Sequence, residues 1–266
     1  MERVHQRMDS DRDFLEFAKR IKHKTGLDLL AYKQDQVRRR LTSLRDRRGF
    51  ATFASFYHEL DRHPDVFEAF MDQLTINVTE FYRNPERWKV LGEQVVPDIL
   101  KGTNRLKCWS AACSTGEEPY SLVLLLSEFI GLQNIEVHAT DIDKTVMNKA
   151  KEGRYSPMAV KDVPVNLLRK FFRLEQGKYV LADEVKKPVR FREHNLLSHP
   201  FDKGYHLIVC RNVMIYFTEE AKYQLYRRFA ESLKPGGYLF VGGTEQILGS
   251  EQYGLVPMAT FFYRKI

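Results

Sequence analysis

Cys108-Trp109-Ser110-Ala111-Ala112-Cys113-Ser114-Thr115-Gly116-Glu117-Glu118-Pro119-Tyr120-Ser121 carries an apolar run of strand length into a turn of small residues and then into a helix start. The apolar run is Lys107 to Ala112, the turn is Ser114-Thr115-Gly116, and the helix continues through the apolar-periodic segment Leu122 to Ile130. Proline is tolerated in a first helical turn, because the early N–H groups have no intrahelical partner. Small residues at the turn let backbone come close to something. In an open α/β sheet that is where a ligand sits, at the carboxyl end of a strand. An ordinary strand-to-helix turn has the same outline, so the stretch by itself leaves the ligand open. The two glutamates beside the turn disfavour a pyrophosphate, which wants amides and cations. They suit a ligand with an ammonium group or ribose hydroxyls.

Downstream, Ile135 to Thr140 alternates as a second strand and ends in Asp141-Ile142-Asp143, followed by a helix from Lys144 to Lys151. An acid about 25 residues beyond the first turn fits a ribose-binding role, although acids are also common helix caps. Val165 to Phe172 is helical. Lys178 to Ala182 and Pro188 to Glu193 are expected to be short strands of an inserted antiparallel ribbon. Tyr205 to Cys210 is a buried strand with Arg211-Asn212-Val213-Met214-Ile215-Tyr216-Phe217 at its carboxyl end, and a helix follows Thr218-Glu219-Glu220. Tyr238 to Val241 is a further strand, Gly243-Thr244-Glu245 a loop, and Gly254–Met258 with Thr260–Arg264 a closing antiparallel hairpin.

Upstream the pattern changes. Phe14, Phe17, Ala18 and Ile21 recur at helical spacing up to Gly26, and Val37, Leu41 and Leu44 mark a second helix from Gln34 to Arg48. Two more helices cover Phe50 to Leu60 and Pro64 to about Leu74, with no strand pattern among them. The second helix carries Arg38, Arg39, Arg40, Arg45, Arg47 and Arg48, with Asp46 nearly its only acid. A solvated face with its stems laid on apolar surface is the plain reading; the one-sided charge suits docking on an acidic partner. The segment from Leu74 to Pro85 joins the halves and is too rich in specific polar groups for a simple linker.

The 266 residues, 43% hydrophobic and 29% charged, are ordinary for a water-soluble protein. No apolar run nears the roughly 20 residues of a membrane span, and the first residues lack the apolar core of a signal peptide. Three cysteines without paired metal spacing suggest reduced thiols, a cytoplasmic protein and no metal site. Cys108 and Cys210 are expected to be core residues, and His138 and His206 satisfied groups of strands rather than catalysts. The net charge of +7 favours an anionic partner.

Several of these segments together resemble the CheR-type chemotaxis receptor methyltransferases. The resemblance is carried by Asn77-Val78-Thr79-Glu80-Phe81-Tyr82-Arg83, the stretch from Trp109 to Ser121 and Ala139-Thr140-Asp141-Ile142-Asp143. Asn195-Leu196-Leu197, the run from Cys210 to Phe217 and Leu233-Lys234-Pro235-Gly236-Gly237 complete it in the same order. The resemblance implies an α/β protein: a Rossmann-like methyltransferase sheet with a small inserted antiparallel β-subdomain, preceded by an all-helical N-terminal domain. The expected divisions are a helical domain over 1–72, a connector over 73–88 and a methyltransferase domain over 89–266 with its ribbon at about 173–193.

The same resemblance implies S-adenosylmethionine (SAM) as cofactor, S-adenosylhomocysteine as product, and glutamate side chains in the cytoplasmic methylation regions of chemoreceptors as acceptors. Carried over, the cofactor contacts are Asn77, Thr79, Arg83, Glu118, Asp141, Asn195, Leu196, Arg211 and Asn212. Arg38, Arg39, Arg40 and Arg45 are expected to meet the receptor, and a monomer that enters no membrane and binds no nucleic acid is expected. The ribbon has one glycine, Gly177, where tail-tethering relatives carry a more glycine-rich turn, so it departs from the tethering pattern and the sequence leaves tethering open.

A glutamate side chain, with a reference pKa near 4.3, is more than about 99% ionised at pH 7 and needs no general base. The enzyme's task is then to desolvate it and hold it in line. Arg83 and Tyr216 are the side chains expected nearest the chemistry, Tyr216 orienting the acceptor carboxylate and Arg83 holding a carboxylate of cofactor or substrate. Aromatic packing against Met214 and Phe217 is the other role open to Tyr216. Two other functions fit parts of the sequence. A nucleic-acid methyltransferase would use the basic helix, but the loop Arg211-Asn212-Val213-Met214 lacks the Asn-Pro-Pro-aromatic pattern of base methylation. A SAM-binding adaptor without catalysis is the third reading.

Overall fold

In the computed structural model, residues 2–75 and 78–266 are described, with side chains from residue 11 onward. Two compact units emerge. The first comprises the N-terminal helices together with Tyr216–Lys222, and the second the rest of the chain.

The helical unit contains α1 (Glu2–Thr25), α2 (Gln34–Arg47), α3 (Phe53–Arg62) and α4 (Pro64–Leu74). Its core follows the spacing of the sequence: Phe14, Phe17, Ala18 and Ile21 of α1 are buried with Leu41, Phe53, Phe56 and Phe70. Phe53 meets Phe14 edge-on at 5.1 Å and Phe17 at 5.0 Å. The start of α3 is doubly capped. Thr52 Oγ1 accepts from the Ser55 N–H at 3.1 Å, and the Asp13 carboxylate accepts from the Phe53 and Ala54 N–H groups at 2.6 and 2.9 Å. Orphan N–H donors of a first turn are thereby paired across helices.

In the second unit α5 (Pro85–Val90), a π-turn at Leu91–Val95 and α6 (Val96–Leu100) lead into the sheet. The strands are β1 (Leu106–Ala111), β2 (Ile135–Asp141), β3 (Arg154–Tyr155), β4 (Phe172–Glu175), β5 (Lys178–Leu181), β6 (Val189–Glu193), β7 (Tyr205–Cys210), β8 (Leu233–Val241), β9 (Leu255–Ala259) and β10 (Phe262–Lys265). Between them lie α7 (Glu117–Leu126), α8 (Lys144–Glu152), α9 (Val165–Phe171), α10 (Asp183–Lys186) and α11 (Glu219–Ser232). Seven strands form one sheet in the order β6-β2-β1-β7-β8-β10-β9, parallel from β6 to β8 and antiparallel at the β10–β9 hairpin. β1 and β7, almost wholly buried, read as continuous apolar runs because a parallel sheet is covered on both faces. Cys108 and Cys210 are fully buried in them.

The inserted sheet is β3-β5-β4, antiparallel. The segment Val189–Glu193, expected in this ribbon, is instead the edge of the main sheet, paired parallel with β2 from Val137↔Val189 to Asp141↔Glu193. An edge strand covered on one side alternates polar and apolar residues just as a ribbon does, so its pattern does not name its partner.

Register brings the site together. Ala111 pairs with Thr140, and Cys210 with Val241, so the carboxyl ends of β1, β2, β7 and β8 share one edge. The chain order reverses at β1, with β2 on one side and β7 on the other, which opens a crevice at that edge.

Candidate active site

The turn after β1 is held open by unusual backbone. Ala112, Ser114 and Gly116 have φ of 68°, 48° and 94°. Gly116 cannot be replaced cheaply, since a Cβ there would lie 2.8 Å from the Ala150 Cβ and 3.0 Å from the Tyr155 hydroxyl. That hydroxyl donates to the Thr115 carbonyl at 3.0 Å, so β3 of the small sheet braces the turn. From the other side the connector is locked down: the Tyr82 N–H donates to Ser121 Oγ at 2.9 Å, and the Phe81 ring meets Tyr155 edge-on at 4.8 Å.

Three carboxylates converge on this turn. Asp141, buried at the end of β2, accepts from the Ser114 N–H at 2.8 Å and the Asp143 N–H at 3.0 Å. Burial pushes its pKa up to about 6, and those two bonds oppose the rise. Each bond uses one lone pair of a different oxygen, so the carboxylate can tie the turn and still accept hydroxyl donors. Glu118 accepts from Ser110 Oγ at 2.8 Å. Burial pushes it up to about 7, with Arg211 and Ser110 pulling it back. Glu117 accepts from Thr115 Oγ1 at 2.7 Å and is likewise pushed up to about 7 by burial.

Arg211 lies buried just past β7. One terminal nitrogen donates to the Arg83 carbonyl and to Asn84 Oδ1, both at 2.8 Å, and the guanidinium stands 4.7 Å from the centre of the Phe240 ring. Its Nε is buried with no hydrogen-bond partner. An orphan donor of this kind is costly unless a ligand pairs it. A half-buried acid opposite a buried arginine with a spare donor is the arrangement that receives an amino-acid end, the acid taking the ammonium and the arginine the carboxylate. Together with Asp141 for ribose hydroxyls, the residues present fit SAM.

Of the other expected contacts, Arg83 donates to the Val78 carbonyl at 3.1 Å and is half-buried. Thr79 is half-buried in the same connector, and Asn77 lies outside the described residues. Asn195 and Leu196 are buried beyond the end of β6, with Asn195 Oδ1 accepting from the Leu197 N–H at 2.9 Å. Asn212 has φ of 59°, and its N–H donates to Glu245 at 2.8 Å. Asp141, Asn195, Leu196, Arg211 and Asn212 therefore lie at or just past strand ends of one sheet edge, and Glu118 lies in the first turn of the helix that follows β1. Ser110 and Glu245 carry no signal in the sequence that marks them as part of the site, whereas Glu117 is one of the two glutamates beside the turn. Glu245 was legible only as an acid just past a strand end.

Tyr216 and the arginines belong to the helical unit. The Tyr216 carbonyl accepts from the Lys33 N–H at 2.8 Å, and its ring lies 5.9 Å from the Arg40 guanidinium. The arginines of α2 divide between two faces. Gln36, Arg39, Arg40, Ser43 and Arg47 share one face, at the spacing of a single helical stripe. Arg38 and Arg45 sit elsewhere: Arg38 pairs with Asp11 over Phe14, and Arg45 pairs with Asp46 over Phe53.

Residues 77–261 match the family described as CheR methyltransferase, SAM binding domain, and residues 12–75 match CheR methyltransferase, all-alpha domain. A chemotaxis protein methyltransferase of Listeria innocua is 41% identical over 97% of this chain and 98% of its own. Chemotaxis protein methyltransferase 1 of Pseudomonas aeruginosa is 32% identical over 88% of this chain and 90% of its own. Among solved structures, a geranyl diphosphate C-methyltransferase of Streptomyces coelicolor superposes on 57% of this chain and 44% of its own, at 16% identity and a TM-score of 0.35.

Proposed function

Since the chain belongs to the CheR methyltransferase family, we propose that it methylates glutamate side chains in the cytoplasmic methylation regions of chemoreceptors. The product is the glutamate methyl ester, and the work is done in the cytoplasm by a monomer. Among the described residues, no helix is long and apolar enough to cross a membrane.

Bound at the β1–β7 edge, SAM supplies an electrophilic methyl group on a sulfonium. The chain's residues do the rest. Glu118 takes the ammonium, Arg211 and Arg83 the carboxylate, Asp141 the ribose, and Thr79, Asn195, Leu196 and Asn212 line the remainder. Asn77 belongs to the same set by family resemblance. The acceptor glutamate arrives already ionised, so no base is required; Tyr216 orients it, and exclusion of water strengthens its attack.

The observation that carries the acceptor assignment is the arginine stripe of α2. Arg39, Arg40 and Arg47 on one face of α2 complement the acidic surface of a helical receptor bundle. Arg38 and Arg45, which the one-sided charge of α2 also offers as receptor contacts, lie on its other face over Phe14 and Phe53.

The test is incubation with methyl-labelled SAM and receptor cytoplasmic fragments. Base-labile label on the receptor is the expected result. Label on nucleic acid, or SAM bound without turnover, would replace this reading with a nucleic-acid methyltransferase or an adaptor.

A further inference from the structure

Glu245, in the loop after β8, is buried, and its carboxylate accepts three backbone N–H groups. Oε2 accepts from Asn212 and Gly242, both at 2.8 Å, and Oε1 accepts from Ile215 at 3.1 Å. A buried carboxylate is costly unless fully hydrogen-bonded, and here every donor comes from loops at the cofactor edge. Gly242 is part of the same device. A Cβ there would lie 2.4 Å from Glu245 Oε2 and 2.8 Å from the Asn212 nitrogen, so a side chain would displace the carboxylate. Asn212, with φ of 59°, is held where a residue other than glycine rarely rests.

We propose that Glu245 is a positioning residue for methyl transfer, acting through the Arg211–Ile215 loop and touching neither cofactor nor acceptor. Its two oxygens divide the task. Oε2 holds Asn212, and with it the cofactor contacts of Arg211 and Asn212. Oε1 holds Ile215, at the far end of the same loop, and so fixes the loop's course along the cofactor edge. This inference rests on the function proposed above.

The division makes two substitutions differ. In Glu245→Gln, the amide oxygen can keep the Asn212 and Gly242 bonds, while the amide NH2 faces the Ile215 N–H donor to donor. The 266-residue protein with Glu245→Gln is expected to bind SAM within about threefold of wild type. Its kcat on receptor fragments should fall at least tenfold, since small misplacements near reacting atoms cost up to about 100-fold. Glu245→Ala is expected to weaken both. Gly242→Ala should resemble Glu245→Ala, and the double variant should be little worse than either, because both break one unit.

Calorimetry for SAM, initial rates for methyl transfer and thermal melting decide it. A folded Glu245→Gln protein with kcat within twofold of wild type overturns the proposal. So does a loss of rate and SAM affinity that returns in full when assays are run well below the melting temperature, which is the behaviour of a structural brace. If wild type fails to methylate receptor fragments, the functional reading falls. The SAM affinities of Glu245→Ala and Gly242→Ala then still test whether the loop is held for the cofactor, with unchanged affinity refuting it.

Discussion

At the scale of single residues, the site is defined by carboxylates kept in a poorly solvated place. Glu118 is raised from an ordinary 4.5 to about 7 by burial, despite Arg211 and Ser110. Between those values it holds a proton in the folded chain and none in the unfolded one. Its contribution to stability is therefore complete below about pH 4.5 and is lost as pH rises through about 7. Glu118→Gln should flatten the decline in melting temperature of the ligand-free protein over that range; an unaltered slope would assign it to other groups. A cationic ligand reverses the preference, because the ammonium of SAM needs the ionised acid. SAM affinity should weaken about tenfold from pH 8 to pH 6, a dependence that Glu118→Gln removes. Tyr216→Phe should lower kcat about 10- to 100-fold with SAM affinity unchanged, as expected for one orienting donor. Equal losses in both would move Tyr216 into the cofactor pocket. Glu118 in the first turn of α7 and Asp141 at the end of β2 were legible in the sequence, because strand length and the following turn are local patterns. Glu245 was not, since nothing near it in the chain shows that it caps a loop 33 residues away.

At the scale of elements, α2 shows how one helix carries two kinds of arginine. The stripe Arg39, Arg40 and Arg47 lies along one face. Arg38 and Arg45 cover Phe14 and Phe53, with guanidinium carbons 5.5 and 4.7 Å from the ring centres. Arg40 is part-buried and donates to the Leu74 carbonyl at 3.1 Å, whereas Arg47 is exposed and makes only long bonds, to the Ser43 carbonyl and to Gln73 Oε1, both at 3.3 Å, so Arg40 is the poorer residue for a test of charge. Exposed pairs contribute only about 0.2–1 kcal/mol each, so Arg39 and Arg47 must be reversed together. The Arg39→Glu and Arg47→Glu double variant is expected to raise KM for receptor several-fold with SAM binding intact. Its wild-type counterpart should weaken with salt, as the Debye length shrinks from about 10 Å at 0.1 M to about 3 Å at 1 M. Arg38→Glu and Arg45→Glu together should lower melting temperature more than they raise KM. The reverse pattern would return the docking face to Arg38 and Arg45. Periodicity showed that α2 is basic around most of its girth, but it could not say which arginines rest on the helix's own neighbours.

At the scale of the whole molecule, Tyr216–Lys222 packs with the helices although the residues on either side belong to the sheet unit. Tyr32 forms a β-bridge with Phe217, Phe217 is buried, and the Thr218 N–H donates to the Ala31 carbonyl at 2.9 Å. A fragment starting at residue 77 leaves that segment without these partners. It should melt lower than the full chain, still bind SAM and lose methyl transfer; full activity in such a fragment would sink the role given to the segment. What the sequence alone determined was the division into a helical part and an α/β part, the order of most strands along the chain, and the family. These follow from periodicities of 3.6 and 2 and from short motifs, all set by neighbours within a few residues. Only the tertiary structure decided that Val189–Glu193 joins β2 rather than the ribbon, that Tyr216 packs with the helices, and that Glu245 holds the Asn212 loop. Each of these depends on a partner remote in the chain: local pattern fixes a residue's backbone and the face it buries, but only the packed fold selects what that face meets.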